Sequence, residues 1–436
     1  MDASVYTPGA GHLPPVLAGR DHLLHAMTVR LNDVANVGRT RSEDVVFTGV
    51  RGVGKTAMLT AYSAAAAEQG FEVISHQAVT GQSGLVESVL ARAALRIDQG
   101  ARAWTRARRA LDRIAGVSLG AAGISAGIDL HERESAGRRV YPEALAEALA
   151  TLAAEVRRDA PAGGVLITVD EMQVAAKSDL PLLAATLHRL NVDHPRAAVA
   201  FAGTGLPHVP TVLREAGVTH PDRLFVIEEL APVLPPTEAR YAIIEPARRV
   251  GVAWSPDAAD LLVTLTNGYP AHLQLFADEA WRAAAGPSLI TVRDVRAGAQ
   301  RAGDRLVRQT LGPRLDELPP RQLEYLTAIA LHGGRASTRR IAETLGRQQR
   351  ELSWVRDDLL RAGDIYTPRR GHVVMSVPAF ASFLLAHYDD AREATDTELL
   401  PLDTMRSNAS STGSPAPRGQ LEPPTTPQLP QDGPTG

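Results

Sequence analysis

The stretch that decides the reading of this chain is GVRGVGKT, residues 49–56. It follows the apolar run DVVFT and opens into TAMLTAYSAAAAEQG, a small-residue helix pattern that Gly70 can end. Strand, glycine loop and helix start are the three parts of a phosphate cradle, because a helix N-terminus offers unpaired N–H groups to an anion. Glycines let the loop backbone curl so that further N–H groups point inward. The chain has 46 Lys plus Arg, yet only two of these are lysine, and one is Lys55. A compact ammonium at that position suits the β- and γ-phosphates of a nucleotide, and the Thr56 hydroxyl suits Mg²⁺. The expected cradle is Gly49, Gly52, Val53, Gly54, Lys55, Thr56 and Ala57.

Such a cradle requires an acid at the end of a second buried strand, facing the metal. GGVLITVDEMQ, residues 163–173, supplies one. Val165–Val169 reads as a strand buried on both faces, and Asp170 sits at its carboxyl end, where open α/β sheets bind ligands. Asp170 is assigned to the Mg²⁺ shell. Glu171 is the candidate base for the attacking water. A third strand, in RAAVAFAGTGLP, ends at Thr204, a small polar residue placed to touch the γ-phosphate or the water. Further strand-like runs lie at 71–79 and 224–230, with Arg223 at the start of the latter. Strands alternating with helical segments imply a doubly wound parallel sheet.

Composition narrows the classes. The 436 residues carry a formal net charge of −3, so any nucleic-acid role needs a local patch. The absence of cysteine excludes disulfides and thiolate metal sites. The first residues lack the charged and apolar regions of a signal peptide, and no apolar run approaches the length of a membrane span, so a cytoplasmic protein is expected.

The order of these motifs resembles the AAA+ ATPases, specifically the origin-recognition-like and STAND-like branch, over about residues 16–285. Gly49–Thr56, the Asp170–Glu171 pair and AGTGLP match the family's Walker A, Walker B and sensor-1 motifs. LAGRDHLLHAMTVRL, residues 17–31, looks like its N-terminal element, which would place Arg20 beside an adenine pocket. The resemblance implies ATP and Mg²⁺ as ligands. It makes Arg223, in HPDRLF, a candidate arginine finger acting across an ATP-dependent homo-oligomer. Many AAA+ lids carry an arginine where this chain has NGYPAHLQL, which is closer to the GxP turn of STAND ATPases. Slow switching is therefore expected rather than motor-type turnover. Pro270 suits a first helical turn, and His272 is a candidate to face the phosphates.

Residues 83–114 read as a helix pair with an arginine run, and 116–130 as a hairpin. From 317 to 388 the pattern changes to helix, helix, turn, helix and a hairpin about PRRG, which suggests a winged helix. Leu352, Val355 and Leu359 mark the inward stripe of its third helix. The opposite stripe holds Arg347, Arg350, Trp354, Asp357 and Arg361. Residues 335–372 contain nine arginines against five acids, a net of +4. Double-stranded DNA contact through Arg347, Arg350, Trp354, Arg361, Arg369 and Arg370 is one reading, and a protein partner is the other. The C-terminal stretch is rich in Pro, Ser, Thr and Gly and is expected to be disordered.

The expected architecture is an α/β P-loop NTPase core over 1–234, a helical lid over 235–312, an α+β winged-helix domain over 313–390 and a disordered tail over 391–436. Three functions fit it: a DNA-associated ATP switch, a signalling or defence ATPase with a protein-binding winged helix, and a nucleotide-binding module with negligible turnover.

Overall fold

A computed structural model describes residues 3–9, 11–39, 43–80, 84–85, 142–284, 288–395 and 397–411. The expected helix pair, almost all of it, and the expected hairpin of the 83–130 region lie outside the described residues. The chain forms two compact units, 1–303 and 304–436.

In the first unit, helix α1 (Asp21–Val37) precedes strand β1 (Asp44–Thr48), all five of whose residues are buried. Helix α2 (Lys55–Glu68) leaves the glycine loop, and β2 (Glu72–Gln77) returns beside the sheet. After α3 (Pro142–Asp159) come β3 (Val165–Asp170), α4 (Asp179–Asp193) and β4 (Val199–Gly205). Two short helices, α5 (Val209–Glu215) and α6 (Pro221–Leu224), lead into β5 (Phe225–Glu229). The five strands are all parallel, in the order β2-β3-β4-β1-β5. β3 and β4 are buried along their whole lengths, as parallel strands covered on both faces must be. A buried ion pair between Arg39 and Asp44 ties the start of β1 to β4: Asp44 accepts the Phe201 amide, and Arg39 donates to the Val199 carbonyl at 2.8 Å.

The lid follows as α7 (Pro236–Arg249), α8 (Pro256–Thr266), α9 (Pro270–Ala283) and α10 (Val292–Leu306), with a small parallel pair β6 (Ala253–Trp254) and β7 (Leu289–Ile290). The N-terminal segment completes its core. Tyr6 lies edge-on to both Trp254 and Trp281, donates to the Ile243 carbonyl and accepts from the Trp254 indole at 2.8 Å.

In the second unit, α11 (Gly312–Asp316) and α12 (Pro320–Leu331) precede a strand that sequence reading did not anticipate, β8 (Arg335–Ser337). Then come α13 (Thr338–Thr344), α14 (Ser353–Ala362), β9 (Ile365–Arg369) and β10 (His372–Met375). Helix, strand, helix, helix and two further strands, joined as an antiparallel sheet β8-β10-β9, give the element order expected of a winged helix. Ser337 caps α13 by accepting the Arg340 amide, and Leu352, Val355 and Leu359 are buried as their spacing predicts.

Helices α15 (Pro378–Glu393) and α16 (Leu402–Ser411) follow. The second corrects the expected tail for residues 397–411. Leu399, Leu402 and Met405 are buried, Tyr388 donates to the Leu400 carbonyl at 2.9 Å, and Asn408 donates to the Thr344 carbonyl at 3.0 Å. Bulk composition hid three apolar side chains spaced to reach one surface. Residues 412–436 lie outside the described residues. No helix among the described residues is long and apolar enough to cross a membrane.

Candidate nucleotide site

The parallel registers bring the motifs together. Thr48 lies level with Gly205, and Val169 with Gly203, so the glycine loop, Asp170 and Thr204 gather at one carboxyl edge of the sheet. The Gly49 amide donates to the Gly205 carbonyl at 3.2 Å, closing the loop over β4. Gly54 then starts α2, whose first N–H groups have no partner within the helix.

Lys55 is 6 % exposed and donates from Nζ to the Val50 carbonyl at 3.0 Å. Burial depresses its amine below the ordinary lysine range, while Glu171 and Asp170 act in the opposite sense. An anion in the loop would restore the charge that burial disfavours. Thr56 Oγ1 donates to Asp170 Oδ2 at 2.8 Å, and Thr204 Oγ1 donates to Asp170 Oδ1. A carboxylate and two hydroxyls of this kind are hard oxygen donors fitted to Mg²⁺ and phosphate. Thr56 and Thr204, both nominated from sequence, thus converge on the Asp170 carboxylate. Glu171 sits beside it in a left-handed backbone conformation, φ 58°, and its amide donates to Asp170 Oδ1 at 2.9 Å.

Next to the loop is a mainly apolar pocket. Val16, Leu17 and Arg20 line it from the N-terminal segment, Val53 and Met58 from the loop and α2, and Leu273 from the lid. Arg20 is buried, donates to the Ala231 carbonyl at 3.2 Å, and has its guanidinium pKa lowered by burial.

His272 does not line this pocket. It is buried beside Tyr269, with ring centroids 4.6 Å apart, and burial pulls its imidazole down to about 4. Tyr269 is a lid residue that reaches the loop, and its hydroxyl donates to the Arg51 carbonyl. Gly52, at φ 72°, permits this, since a Cβ there would stand 2.5 Å from the Tyr269 hydroxyl. A contact between residues 218 positions apart leaves no local sequence signal.

Arg223 is exposed at the end of α6 and makes no ion pair among the described residues. Glu228, one acid within its sequence neighbourhood, pairs instead with Arg30 at 3.3 Å. Phe225 is level with Asp44, so Arg223 lies at the amino edge of the sheet, about 13 Å or more from its own loop at ~3.3 Å per residue.

In the second unit, Arg347 pairs with buried Glu324 at 3.4 Å, and Arg361 pairs with Asp358. Arg350 and Arg370 are exposed, Arg369 meets the His372 ring at 3.0 Å, and Trp354 is 53 % exposed.

Comparison with known families agrees with the first unit. Residues 16–199 match the model of the AAA ATPase domain. Residues 308–384 match a domain of unknown function, DUF8462. The chain is similar in fold to the Walker-type ATPase PABY2304 of Pyrococcus abyssi, with 16 % identity, TM-score 0.54, and coverage of 86 % of this chain and 99 % of that one. It is also similar to the Aeropyrum pernix ORC2 protein in its ADPNP–ADP complexes, with 16 % identity, TM-score 0.50 and coverage of 92 % and 96 %. No curated protein matches the sequence.

Proposed function

We propose that the chain is an ATP-binding switch that hydrolyses ATP slowly and acts at double-stranded DNA through its second unit. The observation that carries the nucleotide half is the meeting of Thr56 and Thr204 on Asp170 beside buried Lys55. In this reading Lys55 binds the β- and γ-phosphates, and the α2 N-terminus and loop amides hold the remaining phosphate oxygens. Thr56 and Asp170 hold Mg²⁺, which when bound neutralises charge developing on the phosphate oxygens. Glu171 takes a proton from the water that attacks the γ-phosphorus, giving ADP and phosphate. The apolar pocket receives the base, with adenine favoured by the family resemblance. Slow turnover is supported by the lid turn, which presents Tyr269 to the loop where an arginine would serve catalysis.

Arg350, Arg369 and Arg370 support the DNA half: Arg350 lies in the 3-10 turn Gln349–Leu352 that leads into α14, not in the third helix itself, and Arg369 and Arg370 lie at the end of β9 and in the turn after it. A protein partner is the second reading. It is favoured by the pairing of Arg347 and Arg361 with acids, and by exposed Trp354 between them. Fluorescence anisotropy with a duplex, with and without ATP and Mg²⁺, tests the choice. DNA contact predicts binding that weakens with salt, and removing Arg369 and Arg370 should reduce the logarithmic salt slope by about 2. Salt-independent or absent binding favours the protein partner. Steady-state phosphate release tests the enzyme half, with Glu171→Gln expected to retain ATP and lose about 10²–10⁴ in rate.

A further inference from the structure

Gln173 lies two residues past Glu171, and both ends of its amide are occupied. The Leu206 backbone N–H donates to Gln173 Oε1 at 3.1 Å. A backbone N–H can only donate, so the oxygen of the amide faces Leu206 and its nitrogen faces away. That nitrogen donates to Glu171 Oε2. Leu206 stands two residues beyond Thr204, and Thr204 donates to the same Asp170 oxygen that accepts the Glu171 amide. The Glu171 carboxylate is therefore tied through one side chain to the residue just past β4, the strand that carries Thr204. Gly205 makes room for this tie, because a Cβ there would stand 2.7 Å from Gln173 Oε1. Glu171 is one of two non-glycine residues with positive φ among the described residues, the other being Asn267. Such a conformation persists where surrounding contacts hold it.

We propose that Gln173 is the positioning residue for Glu171, an inference that rests on the reading of Glu171 as the base. The donated N–H takes one carboxylate oxygen, which leaves the other oxygen for the water. A base oriented by a third group is the general pattern of an activated nucleophile site. The same tie makes the aim of the base depend on the loop beside the γ-phosphate reader.

The test is steady-state phosphate release as a function of ATP concentration, with ATP binding measured by calorimetry and folding by thermal melting, on the full chain. Gln173→Leu removes both hydrogen bonds. Gln173→Glu is nearly isosteric and sets a second carboxylate against the base. Both should bind ATP as the wild type does and lose up to about 10²-fold in kcat, the scale of a misplaced group, with little change in KM. In a Glu171→Gln background, Gln173→Leu should cost nothing further, because its effect passes through Glu171. Unchanged or raised kcat in the two Gln173 variants, with Glu171→Gln inactive, overturns the role of Gln173 alone. So does a full additional loss in the double variant. Wild-type turnover in Glu171→Gln overturns the base reading and this inference with it.

Discussion

Thr56 and Asp170 are 114 positions apart, and the threonine hydroxyl lies 2.8 Å from the aspartate carboxylate. One belongs to the first turn of α2 and the other to the last residue of β3. Parallel pairing through β4 puts both at the same edge, and Thr204 on β4 closes the group. This arrangement predicts that Asp170→Asn binds ATP without the tightening that Mg²⁺ gives the wild type. Titration of ATP with and without the metal checks it, and an equal Mg²⁺ effect in both proteins would remove Asp170 from the metal shell.

Tyr269 and Arg51 link the lid to the loop. Tyr269→Phe should lose about 0.5–1.5 kcal/mol, the net value of one hydrogen bond, and should release nucleotide faster. Gly52→Ala should be harsher. Its new Cβ meets the Tyr269 hydroxyl and it disfavours φ 72°, so ATP affinity should fall about tenfold or more, about 1.4 kcal/mol. Stopped-flow release of a fluorescent ATP analogue measures both.

His272 predicts a pH dependence of stability. Its folded-state pKa is lowered from 6.5 to about 4 by burial. Between those values the unfolded chain binds a proton that the folded chain refuses. The stability is therefore fully present above about pH 6.5 and is lost as pH falls towards 4, by up to about 3 kcal/mol. Denaturant unfolding at pH 7 and pH 4.5 should show a smaller loss for His272→Gln than for the wild type.

How much of this was legible in the sequence depends on how local each signal is. The three inner strands β3, β4 and β1 and the Walker motifs were legible because a buried parallel strand is a continuous apolar run and a phosphate loop is a continuous glycine stretch. Ser337 and Pro270 marked helix starts for the same reason. β8 was missed because three residues carry no period, and its partner β10 lies beyond two helices. α16 was missed because its two buried side chains, Leu402 and Met405, sit in a polar stretch that looks unstructured on average. Tyr269 and Gln173 each act through a partner fixed by tertiary packing. Thus the sequence nominated His272 and Glu171 while leaving the residues that contact the loop and orient the acid unmarked.

Arg223 tests assembly. It is exposed at the amino edge of the sheet, away from its own loop, so a role in catalysis requires a neighbouring subunit. Arg223→Ala should keep ATP affinity and lose ATP-dependent self-association together with hydrolysis. Mixed with Glu171→Gln protein, it should regain part of the activity, since it keeps its own base and receives a finger worth about 10³–10⁵ in rate. Light scattering and phosphate release on the mixture decide it, and no recovery would leave Arg223 a surface residue.

The central claim is that residues 49–57 with Asp170 hold ATP and Mg²⁺. Calorimetric titration of ATP with Mg²⁺ into the wild type and into Lys55→Ala tests it most directly. Saturable one-site binding by the wild type, and none by a variant with an unchanged melting temperature, is the predicted result. Equal binding by the two proteins, or none by a folded wild type, would contradict it.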